Sequence, residues 1–219
     1  HTRTSGNRDF VQFHVWVDGR MTVTQAHRVM DEIEEILATE FPGVEILIHP
    51  DPRLKKPCEA VTDITPELRT LAADMLETMY DAPGVGLAAP QIGVMLRIIA
   101  MDCIKDGPAE PMVLLNPRVT WSSEDVNVYE EGCLSIPGLF VEMLRPKEVL
   151  VRGLTLEGDE IEVEADELLA RLFQHEIDHL QGVLMFDRML PDQRKIALNE
   201  YQKNEKSAKS SEPVHVRLK

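Results

Sequence analysis

Two histidines in the sequence have the spacing needed to bind one metal ion together. His175 and His179 stand four positions apart in the run HEIDH, among apolar residues that recur with helical spacing. Side chains at i and i+4 of a helix leave the same face, so both imidazoles can reach one ion. Glu176 follows the first histidine and could move a proton beside that ion. The run predicts a hydrolytic metal site, although two histidines lining an apolar groove would have the same spacing.

The third ligand of such a site is predicted upstream of the histidines. A tetrahedral hydrolytic centre needs three protein ligands and one open position for water. The segment 180–189 contains neither His nor Glu, whereas Cys133 lies in the run EEGCLS. A thiolate suits softer divalent ions. Taken alone, Cys133 could equally be a small buried apolar side chain.

A third run, GVGLAAPQ at residues 84–91, is built from small residues and ends in an amide. It lacks the lysine and the full glycine spacing of a phosphate-binding loop. Its glycines and alanines allow a close backbone approach, and Gln91 could donate a hydrogen bond to a developing oxyanion.

Together the three runs resemble the signatures of the peptide deformylase family, namely a G-Φ-G-Φ-A-A-x-Q loop, an E-G-C-[LI]-S loop and a Q-H-E-x-D-H-L helix. They occur in the family's order, and the resemblance covers about residues 44–199. It implies that Cys133, His175 and His179 bind the catalytic metal, typically Fe²⁺, with Zn²⁺, Ni²⁺ or Co²⁺ as substitutes. It also implies active-site roles for four further residues: Gly86, Gln91, Leu134 and Glu176.

The resemblance implies a metal-dependent hydrolase that removes the formyl group from the N-terminal formyl-methionine of newly synthesised polypeptides and releases formate. Glu176 would take a proton from water activated by the metal and deliver it to the departing amine. The Gln91 amide and the Leu134 backbone N–H would stabilise the charge on the formyl oxygen. The expected partners are N-formylmethionyl nascent peptides and, transiently, the ribosome.

Three further residues are compared with the family pattern. Arg145 and Asp178 match positions of a pair that supports the metal site, and the alternative is that both are ordinary surface charges. Phe140 stands where some relatives have an arginine that helps to hold the peptide, so peptide binding beyond the first residue is expected to differ.

Cys58 and Cys103 belong to no motif and are interpreted as structural.

Residues 1–52 resemble a different family, the C-terminal cytosolic domain of cation diffusion facilitator transporters. The likeness rests on RTSG at residues 3–6, FH at 13–14, QAH at 25–27 and the segment FPGVEILIHPDP at 41–52. It implies a ferredoxin-like unit that dimerises and binds divalent metal. Four residues match the metal positions of that family: His14, His27, His49 and Asp51.

The predicted fold class is α+β, with short mixed or antiparallel sheets around a central metal-binding helix. We predict a truncated β-α-β fragment over residues 1–45, the catalytic domain over 46–200 and a polar, disordered tail over 201–219. The fragment should contain strands at 10–17 and 44–49 with a helix between them. The catalytic domain should contain a helix from 66 to about 80, strands at 96–101, 113–119, 147–156 and 160–164, and a last helix capped by Asp166 and ending at Gly182.

Composition narrows the function classes. The 219-residue chain is 43% apolar, which is enough for a buried core, and its net charge of −15 disfavours binding to nucleic acid. We predict no membrane span, and three scattered cysteines indicate a reducing cytoplasm rather than a disulfide framework. Two alternatives to the deformylase stay open: another HExxH metallopeptidase, and a divalent-metal-binding or dimerisation module with an inactive hydrolase domain.

Overall fold

The protein is described from a computed structural model that covers residues 2–5, 8–11, 52–103 and 109–210. Its strands are β1 Thr2–Ser5, β2 Arg8–Val11, β3 Gly86–Ala88, β4 Ile98–Met101, β5 Met112–Ser122, β6 Val126–Cys133, β7 Ile136–Pro146, β8 Val149–Leu154 and β9 Glu160–Ala165. Its α-helices are α1 Pro66–Asp81, α2 Glu167–Leu180, α3 Met185–Arg188 and α4 Pro191–Ser210. Two 3₁₀ helices span Pro52–Lys55 and Ala89–Ile92.

The strands of the described residues form three sheets. A five-stranded antiparallel sheet has the order β3-β4-β5-β8-β9, and two antiparallel pairs, β1-β2 and β6-β7, are separate from it. The α+β prediction is confirmed. Of the predicted N-terminal β-α-β fragment, β2 overlaps the start of the strand expected at 10–17, and the rest lies outside the described residues.

Helix α1 begins where the sequence predicts. The Thr65 side chain caps it by accepting a hydrogen bond from the Leu68 N–H at 3.3 Å, and Pro66 occupies the first helical position. Its apolar stripe is buried in a cluster shared with β3 and β4. The buried residues of the stripe are Leu68, Ala72, Met75 and Met79.

Helix α2 packs its apolar side against the five-stranded sheet. Phe173, Ile177 and Leu180 are buried in one cluster with residues of β4, β8 and β9. Leu168, in the first turn of the helix, is 43% exposed. Asp166 occupies the N-cap position as predicted, but its side chain makes no capping hydrogen bond. The sheet and the cluster thus fix the helix that carries both histidines.

Two parts of the predicted layout are corrected by the structure. The disordered tail cannot begin at residue 201, because α4 continues to Ser210 and Tyr201 is buried beside Phe186. The final predicted helix is followed by two more, α3 and α4. Residues 211–219 lie outside the described residues. Among the helices that are described, none combines the length and apolar character that crossing a membrane requires.

Candidate metal centre

Strand β6 and helix α2 bring three metal-ligating side chains together. Cys133 ends β6, and its Sγ lies 3.3 Å from His179 Nε2. The rings of His175 and His179 have centroids 4.9 Å apart and are nearly perpendicular, at 79°. One ligand atom from each of the three residues lies within 4.8 Å of the other two. Donors on one tetrahedral ion stand about 3.5 Å apart, so the cluster fits a single cation with little adjustment.

The charges of the cluster suit a soft divalent metal. Burial opposes ionisation of the Cys133 thiol, but the charges and hydrogen bonds of His179 and His175 outweigh it and lower the pKa of the thiol well below its ordinary value. A cysteine binds metal as the thiolate. One thiolate and two imidazoles are a donor set typical of zinc and iron sites.

Glu176 points its carboxylate into the same site. The side chain is 3% exposed, and burial raises its pKa. Its Oε2 makes no hydrogen bond to any described residue. A Cβ on Gly86 would lie 2.4 Å from Glu176 Oε1 and 2.5 Å from Leu172 Cδ1. Residue 86 is therefore glycine because β3 passes directly against this carboxylate.

Gln91 is held with its amide nitrogen toward the cluster. The 3₁₀ helix Ala89–Ile92 places it, and its Oε1 accepts a hydrogen bond from the Ala88 N–H at 2.7 Å. Its Nε2 then donates to Ser135 Oγ at 3.2 Å and lies 3.8 Å from Cys133 Sγ. Leu134, next to Cys133, lies in the turn between β6 and β7. All seven predicted site residues thus occupy the same region.

The Arg145–Asp178 pair is present and buried. Arg145 Nη1 donates to Asp178 Oδ2 at 2.8 Å, and each residue is 5% exposed. The alternative of two surface charges is therefore wrong. Arg188 of α3 also donates to both oxygens of Asp178, so this carboxylate is held from two sides.

Two buried residues of the site were not predicted from the sequence. Glu131 Oε2 lies 3.2 Å from His175 Nδ1, and Arg171 donates to the same carboxylate. Burial disfavours the charged form of Glu131, but its hydrogen bonds from His175 and Arg145 lower its pKa to about 2. Spacing offered a signal for both: Glu131 is two residues before Cys133 on a strand, and Arg171 is one helical turn before His175.

The remaining singled-out residues lie around this centre or outside it. Phe140 is 65% exposed on β7, and its ring is packed over Gly132, where a Cβ would lie 2.7 Å from it. Cys58 and Cys103 are half-buried free thiols at the edge of the core, and burial raises the pKa of each. The four N-terminal candidates, His14, His27, His49 and Asp51, lie outside the described residues.

Comparison with known proteins decides the family. Residues 44–195, more than half of the chain, match the family described as polypeptide deformylase. The chain belongs to the peptide deformylase family. A peptide deformylase of Afipia carboxidovorans is 50% identical over 165 residues, which are 75% of this chain and 96% of that protein. One from Rhodopseudomonas palustris strain TIE-1 is 46% identical over 162 residues, 73% of this chain and 93% of that protein.

Solved deformylase structures agree with this assignment. The crystal structure of a peptide deformylase from Legionella pneumophila is 40% identical with a TM-score of 0.68, over 77% of this chain and 98% of that one. The peptide deformylase of Synechococcus elongatus, solved in complex with actinonin, is 39% identical with a TM-score of 0.67, over 79% of this chain and 94% of that one. Residues 1–53 match a different family, described as the cytoplasmic domain of cation efflux proteins.

Proposed function

We propose that Cys133, His175 and His179 hold one Fe²⁺ and that Glu176, Gln91 and Leu134 act on the formyl group of an N-formylmethionyl peptide. The chain is a peptide deformylase, a hydrolase that removes this group. The observation that carries the assignment of residues is the cluster of one thiol and two imidazoles within 4.8 Å, with a buried, unpaired carboxylate oxygen beside it.

Each residue has a defined part in the reaction. When bound, the ion would act as a Lewis acid and lower the pKa of water in the site. Glu176 accepts that proton, and burial suits the role because a raised pKa brings a carboxylate nearer to neutral pH. Glu176 then returns the proton to the methionine nitrogen as the bond from carbon to nitrogen breaks. Formate and a free amino terminus are the products.

Charge on the formyl oxygen must be stabilised while the water adds. The Gln91 Nε2 group is the side-chain donor, because the Ala88 N–H fixes the other end of the amide. The Leu134 backbone N–H is the second donor. Gly86 contributes by leaving space for the Glu176 carboxylate.

Formate release tests this function and its metal. Protein purified without oxygen and loaded with Fe²⁺ should release formate from a formyl-Met dipeptide, and Zn²⁺-, Ni²⁺- and Co²⁺-loaded samples should be measured beside it. An HExxH peptidase would instead cleave unformylated peptides and release no formate. If no metal form releases formate, the hydrolase domain is inactive.

The proposal extends to the surroundings of the enzyme. N-formylmethionyl nascent peptides are the substrates, met at the ribosome in a transient encounter within the cytoplasm. The segment matching the cation efflux domain is a candidate dimerisation unit, and the two copies in a dimer would act independently because all seven site residues lie on one chain.

A further inference from the structure

Arg171 is a buried cation that joins helix α2 to both strands of the β6–β7 hairpin. It lies one turn before His175 and is 5% exposed. Its Nη1 donates to Glu131 Oε1 at 2.5 Å and to the Met143 carbonyl at 2.9 Å. Its Nη2 donates to the carbonyl and side-chain oxygens of Asn127, at 3.1 and 2.7 Å. One guanidinium group therefore holds β6 and β7 together against α2.

The Glu131 carboxylate lies between two arginines and a metal-binding histidine. Arg145 donates from Nε to Oε1 at 2.6 Å and from Nη2 to Oε2 at 2.9 Å. Oε2 also faces His175 Nδ1. A carboxylate on Nδ1 keeps the proton on that nitrogen and leaves the Nε2 lone pair for a cation. The two arginines thus fix the group that orients His175.

The position of Cys133 depends on the same contacts. In the described part of the chain, the β6–β7 hairpin forms no ladder with the five-stranded sheet. Glu131 and Cys133 are two residues apart at the end of β6, and both side chains reach α2: Glu131 Oε2 lies 3.2 Å from His175 Nδ1, and Cys133 Sγ lies 3.3 Å from His179 Nε2. Contacts that fix Glu131 relative to α2 therefore also fix Cys133 relative to the two histidines.

The other attachment of the hairpin lies elsewhere and is apolar. Residues of β7 pack with α3 and α4 in a cluster that includes Leu139, Phe186 and Tyr201. Toward α2 the hairpin presents charged groups instead. The Arg171 guanidinium carbon is also 5.6 Å from the centre of the Tyr129 ring. Tyr129 is 56% exposed and lies between this arginine and solvent.

We propose that Arg171 is a positioning residue that clamps Glu131 and the hairpin onto α2, and so sets the geometry in which Cys133 and His175 bind one metal ion. The inference rests on the proposed function, in which these residues are ligands. Lysine should replace Arg171 poorly, because one ammonium group cannot reproduce a planar fork directed at three acceptor residues.

Binding of Co²⁺ to the full chain tests the inference without measuring catalysis. Arg171→Met and Arg171→Lys should bind Co²⁺ about 10–100-fold more weakly than the wild type in competition with a chelator. The thiolate-to-Co²⁺ absorption band, measured per bound ion, should change in both variants. Val151→Ala is the control, because it removes buried methyl groups from the sheet and lowers Tm while Arg171, Glu131 and the three proposed ligands all stay in place.

The outcomes distinguish failure of the proposed function from failure of the positioning role of Arg171. If the wild type binds no Co²⁺ through a thiolate, the proposed function itself is wrong. If the wild type binds and Arg171→Met matches its affinity and spectrum, the positioning role is wrong. Equal weakening by Val151→Ala would also overturn it, because general instability would then explain the effect.

A second variant keeps the test available if Arg171→Met does not fold. Asn127→Ala combined with Tyr129→Leu removes the Asn127 Oδ1 acceptor and the aromatic ring that contact Arg171, and it leaves the Asn127 carbonyl and every buried charge in place. We expect this double variant to weaken Co²⁺ binding in the same direction by a smaller factor. Wild-type affinity in the double variant would contradict the inference.

Discussion

Gly86 and Glu176 approach so closely that a Cβ at residue 86 would lie 2.4 Å from the carboxylate. No side chain can occupy that volume unless α2 or the carboxylate moves. The close approach links β3, which carries none of the proposed metal ligands, to the carboxylate that we propose as the proton acceptor.

Gly86→Ala should lower kcat by about 100-fold or more while bound metal stays near one equivalent, because the new methyl group displaces the Glu176 carboxylate. Steady-state kinetics and metal analysis measure the two effects. The double variant Gly86→Ala with Leu172→Ala removes the other close contact, at 2.5 Å, and should not recover kcat. Recovery would mean that Leu172 packing, and not Glu176, is responsible.

Glu176→Gln should keep its metal and lose about 10²–10⁴-fold in kcat, since an amide fills the same space but accepts no proton. Metal content and formate release are measured on the same samples. Glu164→Gln, an exposed change on β9, is the matched control and should behave as wild type. Turnover by Glu176→Gln at the wild-type rate would remove this residue from the mechanism, and loss of its metal would make it structural.

Replacing any one of Cys133, His175 or His179 by alanine should remove bound metal and activity together, because a hydrolytic centre needs all three ligands. Metal analysis after gel filtration, with formate release, measures both. Cys58→Ala is the control, because its thiol lies at the edge of the core away from the cluster. A variant that keeps a full equivalent of metal and normal turnover would exclude that residue as a ligand.

Asp187→Asn should lower the free energy of unfolding by about 0.5 kcal/mol at pH 7, because solvent screens the partly exposed pair of Asp187 and Lys55, and the difference should fade below about pH 4. Burial disfavours the Asp187 carboxylate, but Lys55 and the Leu184 N–H stabilise it and lower its pKa. A depressed folded pKa gives stability that is present above the unfolded value and is lost as pH falls through the folded one.

Urea titrations of both proteins between pH 3 and pH 7, with Asp192→Asn as the exposed control, check the Asp187 prediction. The control should be close to wild type throughout this range, because Asp192 is exposed at the start of α4. A difference between Asp187→Asn and wild type that stays constant from pH 7 to pH 3 would contradict a charged role for Asp187.

A chain beginning at Val44 should fold, bind metal and deformylate a formyl-Met peptide at close to the full-length rate. The reason is that the aligned 73–75% of this chain covers 93–96% of two curated deformylases, and all seven site residues lie downstream of residue 44. Kinetics and sedimentation of both proteins measure activity and association. A truncated protein that folds and binds metal but releases no formate would show that the first residues contribute to catalysis.

The sequence predicted the helices of the site but not the β6–β7 hairpin. Helices α1 and α2 each have an apolar stripe at helical spacing and a typical N-cap residue, Thr65 for α1 and Asp166 for α2. The β6–β7 hairpin has the opposite pattern of burial. Its apolar Val128 and Leu144 face solvent, whereas its charged Glu131 and Arg145 are buried. Apolar periodicity assigns the buried face from hydrophobicity, so it cannot identify a face whose charges neutralise one another.

The predicted tail begins too early, at residue 201, for a different reason. Helix α4 is rich in Lys, Glu, Gln and Asn, and the sequence was interpreted as a solvated tail from residue 201. Lysine, glutamate and glutamine are good helix formers, so polar composition alone does not argue against a helix. The buried Ala197 and Tyr201, four positions apart, and the partly buried Leu198 give this helix apolar contacts with the hairpin and α3.

The position of Cys133 in the candidate metal centre depends on the number of residues in strand β6. Val126 and Val128 are exposed, whereas Glu131 and Cys133 at the end of the strand reach α2. The pairing with β7 is regular from Val126 to Gly132 and shifts register before Cys133. Inserting or deleting one residue within 126–132 would exchange the faces and turn the thiol away from the histidines. A change of two residues would restore the face but shift Cys133 by about 7 Å along the strand. Chain length can therefore vary in the turn before β6, at residues 123–125, but over residues 126–132, where the pairing with β7 is regular, it is fixed to the single residue.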